Sequence, residues 1–156
     1  MADSSLAPFR FGGSGRRSTL ADIMQRRGGD GMFGYQVRPQ LFPGEDDYFR
    51  ANPHVTGMAA ETDDIILNPY APSSVNRDAV ARNEAFRLLL RHRGMTPGFP
   101  VSEQQRKAFR GTPYDNNETG LRETLAARIY SMDPSAMATP EQEEWVRHFL
   151  MQARQR

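Results

Sequence analysis

Hydrophobic residues recur at helical spacing only in the second half of the chain. The first helical segment opens at Ser73 or Ser74 and runs to about residue 93, where Gly94 follows as a stop signal. Its apolar face is built at spacings of four, three and four, with two flanking positions: Ala79, Asn83, Phe86 and Leu90, flanked by Val75 and Leu89.

Three shorter helices are predicted after it. A capping-box pattern starts at Ser102 and precedes a helix that stops at Gly111. The next helix is defined by Leu121, Leu125, Ile129 and Met132. The last helix has Thr139 as its cap and Pro140 at its first position, with an apolar face of Trp145, Val146, Phe149, Leu150 and Ala153. We therefore expect a mainly α fold, a small bundle of about four short helices over residues 74–155.

The first 72 residues show no sustained period. Residues 18–27 predict one short helix, which is marginal alone in water. Residues 32–37 and 40–42 are candidates for short extended pieces, and residues 62–67 are the best strand-like run. We expect residues 1–72 to form a long, extended, largely irregular arm that binds a partner, and residues 73–156 to form a small helical domain.

Composition narrows the class of protein. The chain has 156 residues, a length that suits one ordinary domain. Its hydrophobic content of 38% lies below the usual range, mostly because of the N-terminal half. The net charge of +1 argues against a polycation made for nucleic acid. Its basic residues are nineteen Arg and one Lys, a bias that either serves an interface or reflects GC-rich coding. Neither a signal peptide nor a membrane span is expected, because long apolar stretches are absent from the sequence.

Candidate chemistry is sparse. The chain has no cysteine, and its histidines, His54, His92 and His148, lack the spacing of a helical zinc site. The acidic clusters at residues 45–47 and 63–64 lack the pattern of a calcium loop. We interpret them as solvated turns or as partners for arginines of a neighbouring subunit. Glycine-rich stretches lack the context of a phosphate-binding loop, so we expect no enzyme activity, no metal and no cofactor.

Arginines alternate with aromatic residues in the N-terminal part, as in Phe9-Arg10-Phe11. Such a mixture suits phosphates and stacked bases, and arginines along residues 77–93 would add a basic side. It equally suits salt bridges and aromatic anchors in an acidic groove of a protein. The acidic cluster at residues 45–47 and the near-neutral total charge favour the protein partner.

One resemblance covers about half of the chain. Residues 63–70 (DDIILNPY), 82–87 (RNEAFR) and 127–135 (ARIYSMDPS) are similar to small proteins of unassigned role from tailed bacteriophages. The resemblance, over roughly residues 63–138, implies a phage protein, with a virion component as the interpretation that suits an extended arm. It implies no catalytic residues.

We therefore expect a structural component of a tailed-phage virion, assembled in the host cytoplasm and without membrane contact. A tail or neck adaptor is favoured, with many copies contacting the tail tube, connector or fibre. The alternatives are a nucleic-acid-binding accessory or packaging factor, a capsid cement protein and an early regulator. The expected partner-binding residues are Phe9, Phe11, Leu20, Ile23, Met32, Phe33, Tyr35, Phe42, Ile65, Ile66 and Leu67.

Overall fold

The computed structural model describes residues 31–154 and has a mainly α fold. A helix and two short strands come first, and four further α-helices follow, the last two separated by a single 3-10 turn. In chain order the elements are α1 (Pro43–Ala51), β1 (Gly57–Ala59), β2 (Ile65–Leu67), α2 (Arg77–Arg93), α3 (Glu103–Ala108), α4 (Glu118–Tyr130), the 3-10 turn (Pro134–Ala136) and α5 (Pro140–Arg154).

Helix α2 is the central element, and it is buried on two sides. One side, Ala81, Ala85 and Leu88, packs in a cluster with Ile65 of β2. The other side belongs to the larger cluster that α4 and α5 complete: Phe86, Leu89 and Leu90. A helix with two apolar faces can join two layers, so α2 lies between the sheet and the other helices.

Tyr130, at the end of α4, ties the N-terminal segment to this larger cluster. Its ring stacks on Phe86 with centroids 5.0 Å apart and lies 5.2 Å from the ring of Phe33. Its hydroxyl donates a hydrogen bond of 2.7 Å to the backbone oxygen of Gly31. A buried tyrosine needs such a partner for its hydroxyl, and here the partner comes from the start of the described chain.

The two strands pair antiparallel, with Met58 opposite Ile66. Consecutive residues of β2 face opposite sides, as a strand requires. Ile65 faces α2, whereas Ile66 joins Phe49 of α1 and Ala60 in a separate small cluster. The sheet is therefore covered by α1 on one face and by α2 on the other.

Two buried glutamines join α3 to α5. The amides of Gln105 and Gln142 bond to each other in both directions, at 2.7 and 2.8 Å. The remaining donors reach backbone oxygens of Ala136 and Pro100, and the remaining acceptor positions take backbone N–H groups of Ser102 and Thr139. Because every polar group is paired, the two amides can be buried without an unsatisfied donor or acceptor.

The predicted helical half is confirmed. Four α-helices lie within residues 74–155, and two of the predicted caps are in place: the Gln105 N–H donates to Ser102 Oγ, and the Gln142 N–H donates to Thr139 Oγ1. The predicted start at Ser73 or Ser74 is wrong, because the side chain of Asn76 caps α2 instead. Met132, predicted for the apolar face of α4, lies beyond that helix and is half-exposed. The predicted face of α2 is only partly right. Ala79 and Asn83 are half-buried, and the second face through Ala81, Ala85 and Leu88 was missed.

The extended arm predicted for residues 1–72 is wrong from residue 31 onward. Residues 41–51 form α1 and its approach, and Met32, Ile65 and Ile66 are buried in the chain's own core. The physical reason is that α2 presents a second apolar face, which the sheet and residues 32–35 cover. The helix predicted over residues 18–27 lies outside the described residues.

The C-termini of α2 and α4 provide a matched test of backbone strain. Both end with a bond from the sixth residue back to the first, Met95 N–H to Leu90 O and Asp133 N–H to Arg128 O. The left-handed residue of this motif is Gly94 in α2 (φ 60°) but Met132 in α4 (φ 60°). A side chain at this conformation costs energy that glycine avoids.

We expect Met132→Gly to raise the free energy of unfolding by about 1 kcal/mol, because the Met132 side chain is half-exposed and contributes little packing. Gly94→Ala, which meets no atom within 4 Å, should lower it by about 1 kcal/mol. Urea denaturation of both variants checks this. A loss of stability in Met132→Gly would contradict it.

Candidate functional site

A third extended piece lies beside β2 and forms the most distinctive surface of the described chain. Residues 36–38, called the edge segment below, run parallel to β2 through one bridge, Val37 to Ile65. The Ile65 N–H donates to the Gln36 oxygen at 2.9 Å, and the Arg38 N–H donates to the Ile65 oxygen at 2.8 Å. This pattern turns the backbone N–H and C=O of Val37 away from β2.

Arg38 fixes one end of the edge segment. Its guanidinium binds both carboxylate oxygens of Glu45 at 2.9 and 2.8 Å, and its Nε donates to Asp64 Oδ2 at 3.0 Å. The hydrogen bonds from Arg38 hold the pKa of Glu45 below its usual value. The pKa of Asp64 is also lowered, first by the Thr62 hydroxyl and then by Arg38. Both carboxylates therefore stay ionised, which keeps the network intact at neutral pH.

Tyr35, just before the edge segment, is held by a second network. Its hydroxyl lies 2.5 Å from His92 Nδ1, and His92 Nε2 lies 3.2 Å from Asp63 Oδ2. The neutral tautomer with its proton on Nε2 satisfies both contacts, because Tyr35 then donates to Nδ1 and Nε2 donates to Asp63. Asp63 also lies 3.9 Å from Arg91 Nη1.

The order Tyr, His, Asp resembles that of an activated nucleophile, but the electrostatics oppose activation. Burial, and then the charge of Asp63, raise the pKa of Tyr35 above its ordinary value of 10.0. A phenol with a raised pKa remains protonated at neutral pH, whereas a nucleophile requires a lowered one. The contact therefore acts as a hydrogen-bonded clamp between the N-terminal segment and the end of α2.

Three exposed aromatic side chains lie on α1 or next to it: Phe42 (52% exposed), Tyr48 (46%) and Tyr70 (40%). Two of them are fixed in place. The Arg38 guanidinium carbon lies 4.1 Å from the centre of the Phe42 ring. The Tyr70 hydroxyl donates to Asp46 Oδ1 at 2.9 Å and accepts a bond of 2.9 Å from Arg50. We call Phe42, Tyr48 and Tyr70 the aromatic surface.

Helix α2 packs on one face of the sheet, directly beside β1. A Cβ on Gly57 would lie 2.7 Å from Val80 Cγ1, so the helix approaches this strand closely. The Glu84 carboxylate lies near Ala59 of β1, and burial raises the pKa of Glu84. Helix α2 thus places a charged side chain next to β1.

The arginines and acidic clusters are largely paired inside the chain. Arg50 binds Asp46 at 2.9 Å, and Arg87 of α2 lies 3.8 Å from Glu84. Arg93, also on α2, donates to the Ala153 oxygen at 2.9 Å. The expectation of solvated turns or of arginines from a neighbouring subunit is wrong for Glu45, Asp46 and Asp64, because arginines of the same chain bind them. Asp63 does lie in an exposed turn, as expected.

The predicted partner-binding residues fall into three groups. Those inside the fold are Met32, Ile65 and Ile66, which are buried, and Phe33, Tyr35 and Leu67, which pack against the core. Phe42 is exposed as a binding residue requires. Phe9, Phe11, Leu20 and Ile23 lie outside the described residues. The structure thus brings Tyr35, Phe42 and β2 together, but only Phe42 presents most of its side chain to solvent.

Sequence reasoning missed Val37, Arg38, Tyr48 and Tyr70. The sequence does contain one indication of the Arg38 ion pair. Glu45, seven positions later, lies in the first turn of a helix that begins at Pro43, so its carboxylate is close enough in sequence to bind Arg38. The orientation of Val37 carried no signal, because it depends on pairing with a strand 28 positions away, at Ile65.

Metal sites and membrane spans are the remaining classes to consider for residues 31–154. No group of three or more His, Asp or Glu side chains there is arranged to hold a metal ion. None of the helices in that range has the length and apolar character that crossing a bilayer requires. Comparison with known proteins gave no matching family model, no matching curated protein and no matching solved structure.

The Arg38 network predicts an acid-sensitive contribution to stability. Because the folded pKa of Glu45 is lowered, its stabilising contribution is present above the unfolded pKa and is lost as pH falls through the folded pKa. We expect Glu45→Gln to cost about 1 kcal/mol at neutral pH, given the partial exposure of the pair. The cost should vanish in acid, as thermal unfolding across pH would reveal.

Glu61→Gln is the matched control, since Glu61 is an exposed carboxylate in a turn. It should unfold like the unmodified chain at every pH. A Glu45→Gln cost that stayed constant with pH would show that packing, not charge, is responsible.

Proposed function

We propose that this chain is a non-catalytic binding protein that joins larger proteins within an assembly. The single observation that carries the proposal is the aromatic surface: Phe42, Tyr48 and Tyr70 are each at least 40% exposed. Aromatic side chains and arginine dominate the energetic centres of protein interfaces. Exposed aromatic residues on and beside one helix are therefore best explained by partner proteins that cover them.

The rigidity of this surface strengthens the proposal. Phe42 lies against Arg38, which three hydrogen bonds to Glu45 and Asp64 immobilise. Tyr70 is held by hydrogen bonds to Asp46 and Arg50. Side chains already fixed in the free protein lose little conformational entropy on binding. Phe42 and Tyr70 are therefore already positioned for binding in the free protein.

For the kind of assembly, the support is the resemblance of residues 63–138 to small proteins of tailed bacteriophages. We propose a structural component of the virion, most simply a tail or neck adaptor that contacts tail tube, connector or fibre. Residues 1–30, with Phe9, Phe11, Leu20 and Ile23, would add further anchors. Nucleic-acid binding has weaker support, because Arg38, Arg87 and Arg91 face carboxylates of the same chain.

Quantitative mass spectrometry of purified particles tests this proposal. We expect the protein in mature particles at a fixed copy number. The double variant Phe42→Ser and Tyr48→Ser should fold, because both side chains are largely exposed, but should be incorporated about ten-fold less, as expected when interface anchors are removed.

Met95→Ser is the matched control, because Met95 is an exposed hydrophobic residue after α2 that belongs to neither the aromatic surface nor the edge segment. It should be incorporated normally. Absence of the unmodified protein from particles would refute the virion role, and normal incorporation of the double variant would refute the aromatic surface as the contact.

A further inference from the structure

The edge segment leaves one backbone position of the sheet unpaired. The bonds of Ile65 to Gln36 and Arg38 occupy the inner side of this strand, so the N–H and C=O of Val37 face outward. Within residues 31–154 no hydrogen bond is made to either group. The Val37 side chain is itself 39% exposed. An unpaired strand edge with an exposed apolar residue is a ready template for another extended chain.

The opposite edge of the sheet, along β1, is more sheltered than this one. The carboxylate of Glu84 lies near Ala59 of β1, and the Glu84 side chain is only 14% exposed. A charged side chain placed at a sheet edge disfavours the addition of another strand there. The edge at Val37 carries an exposed apolar side chain instead.

The open edge is also held rigid at both ends. Tyr35 is clamped to His92 before it, and Arg38 is clamped to Glu45 and Asp64 after it. A strand fixed in this way pays little ordering cost when a second strand is added. Phe42, whose ring lies beside Arg38, offers an apolar contact next to the edge.

We propose that an extended segment of a partner protein adds to the sheet along residues 36–38. Its backbone would accept a hydrogen bond from the Val37 N–H and donate one to the Val37 C=O, while its apolar side chains would cover Val37 and Phe42. This is the strand-addition mode of peptide recognition. It rests on the proposed binding function and specifies how the partner is held.

A second copy of the chain is a poorer occupant than a foreign strand. In a two-fold antiparallel pair centred on Val37, Pro39 of each copy would stand opposite Tyr35 of the other. Proline has no N–H to donate, so such a pair would lose ladder bonds on both sides. A foreign strand faces only the one Pro39 of this chain, so it loses a ladder bond on one side alone.

Amide hydrogen exchange of the full chain, followed by NMR, tests the proposal. The probes are short overlapping peptides that tile the proteins encoded by the genes neighbouring its own, together with peptides of its own residues 1–30. In the free protein the Val37 amide should exchange rapidly and the Arg38 amide slowly. A partner peptide should slow Val37 exchange about ten-fold or more, as a new hydrogen bond requires.

Val37→Pro removes the outward N–H without removing a bond to β2 and should weaken that peptide about ten-fold. Val37→Ala keeps the N–H and should retain most of the binding, which separates backbone pairing from side-chain contact. Should Val37→Pro fail to fold, the exchange measurement on the unmodified chain decides the matter alone.

Several outcomes would overturn the inference. Protection of Val37 that grows with protein concentration would assign the edge to a second copy, and protection by a peptide of residues 1–30 would assign it to the chain itself. A bound peptide that leaves Val37 exchange fast, or the lack of any protecting peptide, would exclude strand addition. A protecting peptide from a protein absent from particles would uphold strand addition while refuting the virion role.

Discussion

The structure depends on one constraint, which is that helix α2 must bury two faces. Ala85 faces the sheet and Phe86, the next residue, faces the other helices, and both are fully buried. Strands of three residues cannot stand alone in water. They persist because α2 covers them on one side and α1 on the other. The helical bundle and the sheet are thus parts of one cooperative core, and neither half would retain its shape if α2 were withdrawn.

The clamps around the edge segment extend this core to the surface. The Tyr35 clamp uses a neutral phenol and an imidazole, and the Arg38 clamp uses a bidentate ion pair. Both networks connect residues far apart in sequence, so they hold loops that lack regular structure of their own. The same contacts that stabilise this region also fix exposed groups such as Phe42 in a defined position. Stability and readiness for binding arise here from the same bonds.

The helices after residue 76 could be predicted because their signals are local: a cap such as Thr139 and an apolar period are read within a few positions. The sheet region could not, because its order comes from distant partners. Ile65 was recognised as strand-like, yet its burial depends on the unexpected face through Leu88. Helix α1 was obscured by the prolines around it, although Pro43 occupies the first helical position, which proline tolerates. For the candidate site, only Phe42 was identified in advance with the exposure that it has.

The charged group beside the β1 edge has a consequence for aggregation. Endless stacking of sheets needs two free edges on every molecule, one to receive a strand and one to offer the next. In the described part of this chain, the largely buried Glu84 carboxylate lies next to the β1 edge, near Ala59, where an added strand would enclose it further away from water. Growth of fibres through this sheet is therefore disfavoured, even when the edge at Val37 takes a strand.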